Sequence, residues 1–189
     1  EDFRTEARER DSAWVKGDVG AEDRSLHYGH RAAVVLLTGP DITAKSFLAR
    51  KLETVLVAEG RHAYLLAAEN LHRGLDADLH DLKPEEMVRR FGEVVRLLTD
   101  TGSLVITTTN AFPQATKGIV KTVQTLANPI PVITVHMAKN QDGPQPDRDL
   151  IFAGPEDFEV CTHQILETLK KKGILAEPQG SQAAVQFSI

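Results

Sequence analysis

The chain has 189 residues, 41% of them hydrophobic, and a formal net charge of -5. That size is most simply one domain with a substantial core. The acidic balance lacks the basic face that nucleic acid needs, and no apolar run reaches membrane-spanning length. Cys161 is the single cysteine, so no disulfide forms within the chain and its expected role is helix packing. Residues 1–10 are highly charged and show no signal peptide. The expectation is a cytoplasmic protein with neither nucleic-acid nor membrane partners; the initial Glu1 in place of Met suits a segment of something longer.

Residues 1–31 read as a polar arm or linker, with Arg and Glu alternating from Arg4 to Arg10. Trp14 is expected to pack against the domain, and 21–30 to form a short helix ending near Gly29. His27 and His30 stand three apart with no further ligand nearby, so they predict no metal site. Residues 33–38 form a buried strand covered on both faces. Leu48, Leu52, Val55 and Leu56 recur at helical spacing, which predicts a helix following Lys45 and stopping at Gly60. Residues 62–66 are a second strand. Residues 67–74 follow at its C-terminal end, where open α/β sheets bind ligands, and 76–83 are a polar loop. Pro84, Glu85 and Glu86 open a helix whose apolar face carries Val88, Phe91, Val94, Val95 and Leu98, up to about Asp100. Residues 103–109 are a third strand and 114–126 a helix with Ile119, Val123 and Leu126 inward. Residues 131–136 are a fourth strand, 138–149 a loop and 150–152 a short last strand. Residues 155–172 are a helix buried through Val160, Ile165, Leu166 and Leu169. Lys170, Lys171 and Lys172 suit its C-terminal dipole. Strands alternate with helices, which predicts an α/β fold with a parallel sheet covered on both faces. The expected division is an arm at 1–31, one domain at 32–175 and a tail at 176–189.

Between the first strand and its helix lies Gly39-Pro-Asp-Ile-Thr-Ala-Lys-Ser46. It fits the phosphate-binding pattern G-x-x-x-x-G-K-[ST] except that Ala44 replaces the second glycine. In such a loop, backbone N–H groups wrap a phosphate at a helix N-terminus, the lysine pairs with the outer phosphates and the hydroxyl holds Mg²⁺. Gly39, Thr43, Ala44, Lys45 and Ser46 are therefore the candidate nucleotide-binding residues, with Ser46 the metal ligand if magnesium binds. Ala44 adds a methyl where glycine lets the backbone approach a phosphate, and Ile42 puts a branched side chain in mid-loop.

Several blocks in order resemble the adenylylsulfate kinase (APS kinase) family. Trp14, Gly29 and Val34-Val-Leu-Leu-Thr-Gly39 are similar to its run into the phosphate loop. Tyr64-Leu-Leu with Glu69-Asn70 and Gly74-Leu75 resembles its Y-L-L-D-G-D-N-x-x-x-G-L block. Arg89-Arg90-x-Gly92-Glu93-Val94 resembles its R-R-x-G-E-V helix, and Val160-Cys161, Gln164-Ile165-Leu166 and Gly173-Ile174 its last helix. The resemblance runs from about Trp14 to Leu175. It implies a P-loop kinase-type three-layer sandwich around a five-stranded, mostly parallel sheet, and MgATP-dependent phosphorylation of the 3′-hydroxyl of adenosine 5′-phosphosulfate. It also implies that Asn70, Arg73 and Arg89 face the anionic substrate.

The departures fall on the chemistry. The family's G-L-S-G-S-G-K-S keeps only Gly39, Lys45 and Ser46 here. Its D-G-D-N reads Ala67-Ala68-Glu69-Asn70, which leaves Glu69 as the candidate catalytic acid. Its asparagine before R-R is Met87. Its S-P-F-R segment falls on Ala111-Phe-Pro-Gln114 without the arginine, and its long basic lid is replaced by a short polar loop. Phosphoryl transfer rests on positioning and electrostatics, and each lost preorganised contact costs about 10²–10³ in rate. The expectation is a catalytically impaired domain of sulfate activation, acting as a regulatory or structural module, with MgATP bound only if the loop still works. Its expected partners are an adenosine nucleotide or phosphosulfate ligand, and a second copy or an attached ATP-sulfurylase part. The alternative is an active adenylylsulfate kinase, with Glu69 replacing the acid and Ser46 holding the metal.

Overall fold

The computed structural model describes residues 14–79, 83–111, 116–126, 130–138, 148–153 and 157–176. The strands β1 (Ala33–Thr38), β2 (Ala63–Leu66), β3 (Leu104–Thr108), β4 (Val132–Ala138) and β5 (Leu150–Ala153) form one sheet in the order β2-β3-β1-β4-β5. Every pairing in it is parallel. The uncharged run Ala-Val-Val-Leu-Leu-Thr takes the centre, and all six residues of β1 are buried. This is what a strand covered on both faces requires.

The two-residue period of β1 divides the core. Ala33, Val35 and Leu37 join one cluster, and Val34 and Leu36 the other. The first cluster is closed by α2 (Ile42–Ala58) and α6 (Phe158–Lys171), through Leu48, Leu52, Leu56, Cys161, Ile165 and Leu169. The second is closed by α4 (Pro84–Asp100) and α5 (Thr116–Leu126), through Val88, Phe91, Val95, Val120 and Val123. The result is the three-layer α/β sandwich expected from the alternation of strands and helices. The short helices α1 (Ala21–Tyr28) and α3 (Ala68–Arg73) complete the described elements. Trp14 is half-buried, and the Arg96 guanidinium stands 4.2 Å from its ring centroid.

Two local expectations are corrected. The helix predicted to follow Lys45 already begins at Ile42, because Asp41 caps it there. Val160 is 45% exposed, and Cys161 with Thr162 takes the inward face of α6, so the buried stripe sits one position further along. Several predicted features lie outside the described residues: the arm at 1–13, Phe112-Pro113-Gln114, the loop at 139–147, Pro155, the tail at 177–189, and the side chains of Ile119 and Leu126.

Candidate functional site

At the C-terminal end of β1 the chain turns at Gly39 and enters α2. Gly39 has φ 112°, and a Cβ there would lie 2.1 Å from the Met137 carbonyl oxygen of β4. The first loop glycine is thus demanded by the crossing of two backbones, whatever the loop binds. Asp41 follows with extended backbone (φ -84°, ψ 101°) as the N-cap of α2. Its Oδ1 accepts the Ala44 N–H at 2.9 Å, and its carbonyl accepts the Lys45 N–H at 3.2 Å. A carboxylate at the N-cap of a 17-residue helix meets both an orphan amide and the positive end of the dipole.

Lys45 is buried, 3% exposed. Burial pushes its ammonium below the ordinary lysine range, and the charges of Asp41 and Glu69 oppose that shift. Its Nζ donates to Thr109 Oγ1 at 3.4 Å, and among the described residues it forms no ion pair. The next residue, Ser46, accepts Asn110 Nδ2–H on its Oγ at 2.8 Å. Thr109 and Asn110 come straight off the end of β3, the neighbour of β1 in the sheet. On the other side, the Thr38 hydroxyl meets His136 Nδ1 at 2.9 Å and donates to the Val135 carbonyl at 3.3 Å.

The end of β2 contributes less. Ala67 is the N-cap of α3 and provides no side-chain cap, and Ala68 is buried in the core. Glu69, on the first turn, is half-buried and its charge reaches Lys45. Asn70 is exposed and lines a groove of about 320 Å³ with Tyr64, Leu66, Leu75 and Val94. Arg73 is exposed at the end of the same helix.

On α4, Arg89 donates from Nε and Nη2 to the two carboxylate oxygens of Glu86, each at 2.7 Å, and lies 3.7 Å from Glu93. The hydrogen bond from Arg89 is the main reason the Glu86 carboxyl is lowered to about 2. Arg90 bridges Glu86 at 3.1 Å and the buried Asp76 at 3.2 Å. Arg89 is thus engaged by carboxylates of its own helix.

Of the predicted residues, the fold gathers Gly39, Ala44, Lys45 and Ser46 at one place, with Glu69 near enough to act on Lys45. Thr43 is exposed on α2, and Asn70, Arg73 and Arg89 stand on other elements with other neighbours. Three participants were not legible as such: Asp41, Thr109 and Asn110. An aspartate directly before a helical run is an N-cap signal, and it would have found the first. The other two act across the sheet and leave no local signature.

The family model for adenylylsulphate kinase matches residues 31–149, more than half of the chain. An adenylyl-sulfate kinase of Aeromonas salmonicida is 40% identical over 96 residues, which is 50% of this chain and 49% of that protein. One from Yersinia pestis is 37% identical over 111 residues, 57% of this chain and 52% of its own length. The chain therefore aligns with about half the length of these relatives. Among solved structures, a variant of the APS kinase CysC of Mycobacterium tuberculosis superposes with TM-score 0.63 at 26% identity, over 75% of this chain and 99% of that one. The same enzyme in complex with AMPPNP and APS gives 0.62 at 22% identity, with the same coverage. A hexameric APS kinase from Thiobacillus denitrificans gives 0.60 at 23%, over 79% of this chain and 31% of that one. These superpositions show a shared fold over three quarters of this chain. The chain belongs to the adenylylsulphate kinase family.

Proposed function

We propose that this chain is an adenylylsulphate-kinase-type domain of sulfate activation that does not transfer phosphate and serves as a regulatory or assembly module. The observation that carries this reading is the exit of β2. A hydroxyl attacking a γ-phosphate needs an acidic group to receive its proton and to help orient the metal. Ala67 offers none where the resemblance places the first of two acids, and Ala68, at the glycine between them, is buried in the core. Glu69, on the first turn of α3, keeps a carboxylate at the second, so one of the two is gone.

The residues present do not fit MgATP in this arrangement. The Ala44 amide, which would meet a phosphate oxygen, is bonded to Asp41, and the Ser46 hydroxyl, which would meet magnesium, is bonded to Asn110. The anionic ligand class of this reading is an adenosine nucleotide or a phosphosulfate. It would enter by displacing these contacts, with Lys45 as the cation it meets. The partners of such a module are a second copy or an attached ATP-sulfurylase part.

The test is transfer of labelled γ-phosphate from MgATP to adenosine 5′-phosphosulfate. The expected result is no labelled product above a protein-free control. Sustained product formation would establish the alternative, an active kinase. One observation favours that alternative: the charge of Glu69 acts on the same Lys45 that a phosphate would meet. Loss of product in Glu69→Gln would then identify the acid.

A further inference from the structure

We propose that Asp41 is a built-in anion that holds the phosphate loop closed. This deepens the functional reading above and rests on it. The α2 N-terminus and the buried Lys45 together form a site that attracts negative charge. The chain supplies that charge from its own loop. Asp41 Oδ1 takes the Ala44 amide at 2.9 Å, and its negative charge acts on the Lys45 ammonium.

The second observation is the state of Lys45. A cation 3% exposed ordinarily has a carboxylate against it. Here its hydrogen-bond acceptor is a neutral hydroxyl at 3.4 Å, and among the described residues its charge is balanced only at a distance, by Asp41 and Glu69. The lysine is therefore under-compensated in the closed loop. A phosphate entering here would satisfy both the amide and the ammonium, but it must first expel Asp41 and then bear repulsion from that carboxylate.

The loop thus carries a specificity element distinct from the loss of the second glycine. Ala44 narrows the approach by one methyl, whereas Asp41 occupies the Ala44 amide and sets a full negative charge beside the place a phosphate would take. Removing that charge should reopen the site even with Ala44 in place. Asparagine caps helices as well as aspartate, so Asp41→Asn removes charge and leaves the cap. Asp41→Gly removes both at little cost to the helix.

The experiment is calorimetric titration of the unmodified chain, Asp41→Asn, Asp41→Gly, and Asp41→Gly combined with Lys45→Ala. The probe is inorganic tripolyphosphate, and circular dichroism checks that each variant is folded. Tripolyphosphate is expected to bind both single variants about tenfold or more tighter than the unmodified chain, since one repulsive unit charge is removed beside the ligand. The gain should disappear in the double variant. Equal affinity for the unmodified chain and both single variants would overturn the proposal, as would a gain that survives without Lys45. Turnover of adenosine 5′-phosphosulfate by the unmodified chain would instead overturn the functional reading, and the comparison of Asp41 variants would still stand.

Discussion

Single residues here separate what a motif keeps for folding from what it keeps for binding. Gly39 is the clearest case. Its φ of 112°, and the mere 2.1 Å that would separate an added Cβ from the Met137 oxygen, make it a requirement of the β1–β4 crossing. The backbone on the far side cannot yield as a flexible side chain could. Gly39→Ala is therefore expected to destabilise the domain by about 3 kcal/mol or more, read as a lower urea midpoint with an unchanged slope. An unchanged midpoint would show that the glycine serves ligand binding alone. A glycine in a phosphate-loop pattern is thus weak grounds for phosphate binding. Lys45 and Ser46 likewise carry structural contacts, to Thr109 and Asn110, so their presence is by itself no sign of phosphate chemistry.

At the scale of elements, the sequence was most readable where burial sets the period. The uncharged β1, the four-residue steps of Leu48, Leu52 and Leu56, and the proline-and-acid start of α4 each declare themselves locally, because each buries a continuous face. The start of α2 was less readable. The motif argued for a loop up to Lys45, whereas the Asp41 cap extends the helix to Ile42; capping chemistry won over motif analogy. The Val160 expectation missed by one position on α6, because Cys161, expected in helix packing, takes the inward place and its neighbour Val160 turns outward. Contacts such as Asn110 to Ser46 span 64 residues and depend on strand order, which no local pattern encodes. α4 also permits a direct check of the core. Phe91 is 1% exposed and is the largest of the fully buried side chains on the α4–α5 side of the sheet. Phe91→Ala should cost about 3–5 kcal/mol, measured by equilibrium denaturation. A loss below about 1 kcal/mol would mean that α4 is not seated on the sheet as described.

At the scale of the whole molecule, one polar cluster fastens the first and last described parts of the chain to the start of β2. His30, 1% exposed, pairs across to Leu175 in an isolated antiparallel bridge, and Arg31 N–H donates to the Ile174 carbonyl at 2.8 Å. Arg61 donates to the carbonyls of Gly29 and Ala176. The Tyr28 ring stacks on both His30 and His62, with centroids 5.7 and 4.7 Å away. His30 is the pivot. Its Nε2 accepts the His62 N–H at 2.9 Å, and its Nδ1 lies 3.2 Å from the Arg31 carbonyl. Only the neutral ring with its proton on Nδ1 serves both contacts. Burial holds its pKa below the ordinary 6.5, the positive charges of Arg61 and His62 add to that, and the Arg31 carbonyl opposes it. Between 6.5 and the lower folded value the unfolded chain binds the proton and the folded chain does not, so stability falls as pH drops through that window. Glu86 works in a different window: with a folded value of about 2 against 4.5, its contribution is intact until the pH falls below 4.5. Between pH 6.5 and 4.5 the His30 effect is therefore not masked by Glu86. The domain should lose stability as the pH drops below 6.5, with a slope of up to about 1.4 kcal/mol per pH unit for the one proton, until the lowered folded value of His30 is reached. In His30→Gln, which offers an acceptor but cannot charge, the slope should shrink even if the variant starts less stable. Urea midpoints taken at half-unit pH steps decide it: parallel profiles for the two proteins would show that His30 is not the group that titrates. A flattened profile in the variant would place the acid sensitivity of the fold at the junction where its two ends meet.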